Sequence, residues 1–303
     1  MSSRAEEEWA LRAQYLARVG QTVDGKYRLE ALVGHGSTGA VYRATHVWAG
    51  RECALKLFHY DGENRELALQ RFIREAQVCN RVRRDGRVHA NVVDCLDVGR
   101  DGATGNFFTV QEFLQGETLG DYLARMPNRQ VSTADAVALL MPVIDAIGCA
   151  HESGVVHRDL KPENIFLVHM PDGFVPKVLD FGIAQLSDAR LTRARDILGT
   201  PSYMAPESFM DASRVDARAD VWALGVLLYE LVAGRAPFGV NAPTLLAVMT
   251  EIATREPPSL EAQGLMRSNL WQIVRRCLEK DPANRFEHAR ALREALEQLY
   301  FSL

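Results

Sequence analysis

The sequence predicts an α+β protein, strand-rich in its first third and helical thereafter. Between residues 26 and 114, short alternating or β-branched runs are separated by glycine and polar turns, the period-two pattern of half-buried strands. After Gly116 the pattern changes to long segments with apolar residues recurring every three to four positions, as in helices. At 303 residues the chain can hold one large or two modest domains with an ample core.

Taken in order, residues 3–19 read as a short amphipathic helix. Ser3 and Glu6 fit a capping box, the acids at 6–8 suit a helix start, and Gly20 suits its end. Trp9, Ala13, Leu16 and Gly20 fall on one side, expected to pack on the neighbouring strand-rich segment; a regulatory or partner-binding helix is the alternative. Strands are expected over 27–32, 41–46 and 52–58, then a helix over 66–82 with Phe72, Ile73, Ala76 and Cys79 on its apolar face. Strands over 92–98 and 107–113 come next, with Gly102 and Gly105 marking the turn between them. Helices are expected over 133–151, 220–233, 268–278 and 292–300, with Pro142 a candidate kink in the first. No internal repeat or low-complexity tract is visible.

Composition excludes several classes. Hydrophobic residues make up 47% and charged residues 24%, as in ordinary globular proteins. A net charge of −4 leaves no global basic field for nucleic acid or an anionic membrane. The local cluster Arg81-Val82-Arg83-Arg84 reads as a solvated helix end. Cysteines at 53, 79, 95, 149 and 277 form no Cys-x-x-Cys pair and read as small buried hydrophobes in a reducing compartment. The apolar stretch 221–233 is too short to span a bilayer and contains Glu230, and residues 1–20 lack a signal-peptide pattern. The expectation is a cytoplasmic protein with no membrane segment in this chain.

Five motifs carry chemistry. Gly34-His35-Gly36-Ser37-Thr38-Gly39-Ala40-Val41 lies between two expected strands, and its glycines let backbone amides approach phosphate oxygens with no Cβ in the way. The strand-like run 40–44 comes directly after it, where a dinucleotide fingerprint would need a helix and a P-loop a Lys-Ser/Thr. Next comes Ala54-Leu55-Lys56, whose ammonium stands among apolar neighbours and therefore needs a partner. His157-Arg158-Asp159-Leu160-Lys161-Pro162-Glu163-Asn164 packs acids, cations and an amide into one loop, suited to a phosphate and a metal. Asp180-Phe181-Gly182 and Ala205-Pro206-Glu207 complete the set.

In this order the motifs resemble the signature set of the protein kinases, and the resemblance covers residues 27–300, nearly the whole chain. It implies a two-lobed fold: a helical extension at 1–24, a small β-rich N-lobe with one helix at 25–115, and a larger helical C-lobe at 116–303. It implies ATP held by Gly34, Gly36 and Gly39, with the adenine between Val41 and Ala54 above and Phe166 below, and backbone groups of Glu112 and Leu114 as hydrogen-bond partners. Lys56 would hold the α/β-phosphates and pair with Glu75, with Glu66 the competing glutamate. Asp159 would orient the acceptor hydroxyl and take its proton. Lys161 would neutralise the transferring phosphoryl group. Asn164 and Asp180 would offer oxygens to Mg²⁺, with Mn²⁺ as the alternative. His157 would hold the loop backbone, Arg158 would meet a phosphate or acid of the activation segment, Asp220 would anchor the catalytic loop, and Glu207 would pair with Arg285. Gln111 falls at the position guarding the back pocket.

Lys161, with Thr200 in Gly199-Thr200-Pro201-Ser202-Tyr203-Met204, resembles serine/threonine rather than tyrosine kinases, nearest to the eukaryotic-like Ser/Thr kinases of bacterial signalling. The implied partners are protein substrates with Ser or Thr acceptors and no nucleic acid. Between Asp180 and Gly199 the hydroxyls are those of Ser187 and Thr192; autophosphorylation is expected at Thr192, which Arg190, Arg193 and Arg195 flank, the alternative being that Asp188 or Asp196 pairs with Arg158 and no phosphate is required. A pseudokinase would lack one of the lysine, aspartate or asparagine positions, and none is missing. A small-molecule phosphotransferase of the antibiotic-kinase kind lacks the long segment ending Ala-Pro-Glu.

Overall fold

The computed structural model describes residues 3–36, 39–58, 81–181, 201–210 and 215–301. The chain divides into two compact units, Met1–Asn80 with Val93–Gln115, and Arg81–Val92 with Gly116–Leu303. The expected helix over 66–82 falls almost wholly outside the described residues.

The first unit holds helix α1 (Ser3–Leu16) and a six-stranded antiparallel sheet. Its strands are β1 (Thr22–Val23), β2 (Tyr27–Gly36), β3 (Gly39–His46), β4 (Glu52–Phe58), β7 (Cys95–Arg100) and β8 (Phe107–Glu112), in the order β1-β2-β3-β4-β8-β7; β5 (Arg83–Arg84) and β6 (Arg87–Val88) belong to the other unit. Alternation sets the two faces. Ala40, Tyr42, Ala44, Cys53, Leu55, Leu57 and Val110 are buried in one cluster, which also takes Tyr15 of α1. Val41, Ala54 and Lys56, the intervening residues, are half-buried and face the other way.

Helix α1 packs on the sheet, but not by the expected side. Trp9 is 73% exposed and Leu16 48%, with Ala13 and Gly20 also exposed, while Leu11 and Tyr15 turn inward. The cause is anchoring rather than hydrophobicity. The Tyr42 hydroxyl donates to the Tyr15 carbonyl (2.9 Å), Arg18 pairs with the buried Asp101 (3.0 Å), and Gly20 N donates to Leu29 O (2.7 Å). These bonds fix the helix rotation so that Leu11 and Tyr15, four residues apart and hence neighbours on one face, meet the core.

In the second unit four helices form the core: α3 (Thr133–Glu152), α5 (Ala217–Ala233), α7 (Ser268–Cys277) and α8 (Ala289–Phe301). The smaller α2 (Leu119–Arg125), α4 (Glu207–Met210) and α6 (Leu245–Thr254) surround them in the chain. Ser132 caps α3 by accepting Asp135 N, and the helix runs unbroken through Pro142. By length and composition α3 could cross a membrane, with mean hydropathy 1.6; its Leu140, Val143, Ile144 and Ile147 are buried inside the unit. Helix α5 is buried without interruption from Ala219 to Val232.

Two features correct the sequence reading. The second unit is not purely helical after Gly116: β9 (Gly116–Thr118), β10 (Ile165–Met170) and β11 (Gly173–Val178) form an antiparallel sheet in the order β11-β10-β9. Within the cluster at residues 81–84, read as a helix end, Arg83 and Arg84 instead form β5, the first strand of the β5–β6 hairpin. Asp85 and Gly86, at φ +53° and +77°, supply the two left-handed residues of a tight primed turn. Arg84 pins the hairpin through a bidentate pair with Asp145 of α3 (2.6 and 2.9 Å). The described cysteines 53, 95, 149 and 277 are free thiols, and burial pushes Cys53 up to about 11 and Cys277 to about 12.

Candidate active site

The loop from His157 to Asn164 begins where α3 ends. Gly154, at φ +71°, lets the chain reverse, and Val155 N returns to Ala150 O (2.9 Å). One side chain holds the start of the loop from below. Asp220, in the first turn of α5, is buried, and its carboxylate accepts His157 N (2.8 Å), Arg158 N (2.8 Å) and the His151 ring Nε2 (2.9 Å). Burial alone would raise its pKa, but the hydrogen bond from His151 and the amide of His157 hold it below the ordinary carboxylate value. His151 Nδ1 accepts Ala289 N (3.2 Å), so Nε2 carries the proton that it donates. Sequence reasoning named Asp220 but missed His151. Its signal was a histidine in the last turn of a helix six residues ahead of His157.

Arg158 has φ +66°, a left-handed conformation uncommon for a side-chain-bearing residue, and the hydrogen bond that its backbone N–H donates to Asp220 holds it there. His157 is fully buried. Its Nε2 donates to Leu179 O (2.8 Å), Nδ1 accepts Asp159 N (3.2 Å), and its ring meets Phe181 edge-on at 4.8 Å. Both ring nitrogens are thus committed to backbone, which leaves the imidazole a brace and not a proton carrier.

This bracing gathers four predicted residues. Lys161 Nζ lies 3.0 and 2.8 Å from the two carboxylate oxygens of Asp159. Asn164 Nδ2 donates to Asp159 Oδ2 (2.9 Å) and to Asp159 O (2.7 Å). The Asp159 side chain remains 42% exposed, so its carboxylate is reachable from solvent. Leu179 N donates to Asn164 O (2.9 Å), which carries Asp180, with φ +52°, alongside the loop's end. Phe166 lies next on β10, paired with Thr118 and Lys177.

The other predicted residues lie on the first unit. Gly34 pairs with Val41 and Gly36 with Gly39 at the β2–β3 turn. A Cβ on Gly39, at φ +142°, would stand 1.9 Å from Leu57 O, so only glycine fits. Val41 pairs with Lys56 across β3 and β4, Lys56 with Thr109, and Ala54 with Gln111 across β4 and β8, which puts Val41, Ala54, Lys56 and Gln111 on one sheet face. Lys56 Nζ lies 5.4 Å from the Phe58 ring centroid. Glu112 N donates to Asp94 O (3.0 Å) while its carboxylate accepts Asp94 N (2.9 Å), and Leu114 is half-buried near the unit's end. Glu66, Glu75, Ser37, Thr38, Gly182, Ser187, Thr192 and Thr200 lie outside the described residues.

Two further ties hold Glu207 and Tyr203. Arg285, fully buried, forms a bidentate pair with Glu207 (2.7 and 2.9 Å) and stacks over Trp222 at 4.9 Å. The Tyr203 hydroxyl donates to Glu230, whose carboxyl burial pushes up from its usual value. This second tie was not foreseen: a buried acid inside an apolar helix was read only as an interruption.

Residues 27–301 match the protein kinase domain family model. The chain is 38% identical over 277 residues, 90% of its length, to serine/threonine-protein kinase Pkn1 of Myxococcus xanthus. It is 30% identical over 272 residues, 89% of its length, to serine/threonine-protein kinase PrkC of Bacillus subtilis. It spans 38% and 40% of those two relatives' own lengths. Among solved structures, the kinase domain of PknI from Mycobacterium tuberculosis superposes with a TM-score of 0.72 at 26% identity, covering 93% of this chain and 98% of that one. The chain belongs to the protein kinase domain family, and within it to the bacterial-type Ser/Thr kinase catalytic domains.

Proposed function

We propose that this chain transfers the γ-phosphoryl group of ATP to serine and threonine hydroxyls of protein substrates, as a signalling enzyme of the bacterial cytoplasm. The observation that carries the reading is the Asp159–Lys161–Asn164 cluster: a half-exposed carboxylate whose two oxygens are fixed by an ammonium and an amide. A carboxylate so oriented can accept a hydrogen bond from an acceptor hydroxyl and take its proton as the oxygen attacks. Lys161, beside it, offsets the charge that gathers on the transferring group. Phosphoryl transfer asks for little more than positioning and charge stabilisation, and this loop provides both.

Asn164 and Asp180 fit a Mg²⁺ or Mn²⁺ ion. The Asn164 amide nitrogen is spent on Asp159, which would leave its carbonyl oxygen for the ion, and Asp180 would add a carboxylate; both are the hard oxygens such ions take. The ion would neutralise phosphate charge. On the first unit Gly34, Gly36 and Gly39 would cradle the phosphates, Lys56 with Glu75 would hold them, and Val41, Ala54, Glu112, Leu114 and Phe166 would serve the adenine. We assign residues 1–24 to an extension, 25–115 to the nucleotide lobe and 116–303 to the substrate lobe. Thr192 would be phosphorylated by the kinase itself, its phosphate meeting Arg158. Incubation with labelled ATP, Mg²⁺ and a basic protein tests the whole reading. Label on Ser or Thr is the expected result, and nucleotide binding without any transfer overturns it.

A further inference from the structure

We propose that α1 is a positioning element for the glycine-rich turn, acting through Tyr15 on His35. The inference rests on the reading of ATP as phosphoryl donor. The stretch Gly34-His35-Gly36 has one side chain by which anything could hold it, that of His35. His35 pairs with Ala40 across β2 and β3, and Ala40 belongs to the buried face that α1 packs on. Gly34 pairs instead with Val41, on the opposite face with Ala54 and Lys56. The handle therefore points away from the side where the phosphates would lie, toward the helix. There the ring of Tyr15 sits 6.0 Å from that of His35, tilted by 41°, inside the range of aromatic pairing.

Tyr15 is itself immobilised. It is buried, its carbonyl takes the Tyr42 hydroxyl (2.9 Å), and three residues on Arg18 is tied to Asp101 (3.0 Å). A rigid post thus meets the one side chain of a backbone otherwise made of glycine, the residue with the most freedom to lose. Restricting that backbone before nucleotide arrives lowers the ordering cost of binding. The contact can shift the turn's equilibrium by no more than its own energy, which for an aromatic pair corresponds to about two- to tenfold in affinity.

The test compares Tyr15→Ala, His35→Ala, the double variant and Tyr15→Phe. Tyr15→Ala and His35→Ala should each raise KM for ATP about two- to tenfold with kcat nearly unchanged. The double variant should be no worse than the poorer single one. Tyr15→Phe keeps the ring and should stay within about twofold of the parent. Amide exchange at Gly34, His35 and Gly36 should quicken in Tyr15→Ala while β8 exchange does not change, a readout that needs no ATP. An unaltered KM together with unaltered exchange, or losses that simply add, would overturn the proposal. A parent protein that binds no ATP would instead defeat the kinase reading and leave the exchange result to decide on α1.

Discussion

His151 and Asp220 meet at 2.9 Å inside the second unit, and this pairing lets an ionised carboxylate sit buried beneath the loop from His157 to Asn164. With His151 donating, Asp220 has three partners, and its two oxygens orient successive amides of the loop. His151→Ala should leave that charge short of one donor, at about 1–3 kcal/mol. A lower Tm with a falling kcat and a steady KM for ATP is the expected pattern. Equal Tm for variant and parent would mean that the pair does not carry the loop.

Asp159→Asn keeps the shape of the side chain and removes its capacity to take a proton. Turnover should fall by roughly 10²–10⁴ while ATP affinity holds. Steady-state kinetics beside nucleotide binding decides this. A variant retaining more than about a tenth of the parental kcat would reassign the base.

The Glu207–Arg285 pair is buried and bidentate, so breaking it on one side strands a charge. Arg285→Ala should destabilise the protein by about 3–5 kcal/mol in urea unfolding. Arg285→Lys should recover only part of this, because an ammonium cannot reproduce the planar fork or the stack on Trp222.

Asp145 gives a pH signature. The hydrogen bond from Arg84, helped by Arg293 and His89, lowers its carboxyl from 3.8 to about 2. The folded value lies below the unfolded one, so this group's stabilisation is complete above about pH 4 and disappears as pH falls toward 2. Urea midpoints of the parent should drop over that interval. Asp145→Asn should start lower at neutral pH and drop less. Parallel curves for the two proteins would contradict the linkage.

Thr192→Ala should lower activity and abolish phosphate on the 182–200 segment, read by mass spectrometry beside kcat. A phosphate flanked by Arg190, Arg193 and Arg195 can form about 1–3 charge-assisted hydrogen bonds. Fully active protein bearing an unmodified Thr192 would rule the idea out.

The clustering of Asp159, Lys161 and Asn164 was legible because the three sit at fixed offsets in one loop, and short offsets survive folding as short distances. Strands β2, β3, β4 and β8 were legible for a similar reason, since alternation is a local pattern. The features that were missed depended on partners distant in sequence. Trp9 looked like the buried anchor of α1, yet the hydroxyl of Tyr42 and the carboxylate of Asp101 chose the rotation. The β10–β11 hairpin did carry a local sign, Asp172-Gly173 between two β-branched runs, and the helical tone of its surroundings obscured it. His151 had only a weak local sign, its place in the last turn of α3, because the residue that it serves lies 69 positions away.

Helix α5 carries one more implication. Because it is covered on every side from Ala219 to Val232, none of its faces can be uncovered piecemeal. Its amide protons can reach water only when the surrounding helices separate together, so they report cooperative opening of the whole unit rather than local fraying. Asp220 stands at the head of that helix. The loop that carries Asp159 is therefore tied, through Asp220, to a helix that is buried along nearly its whole length.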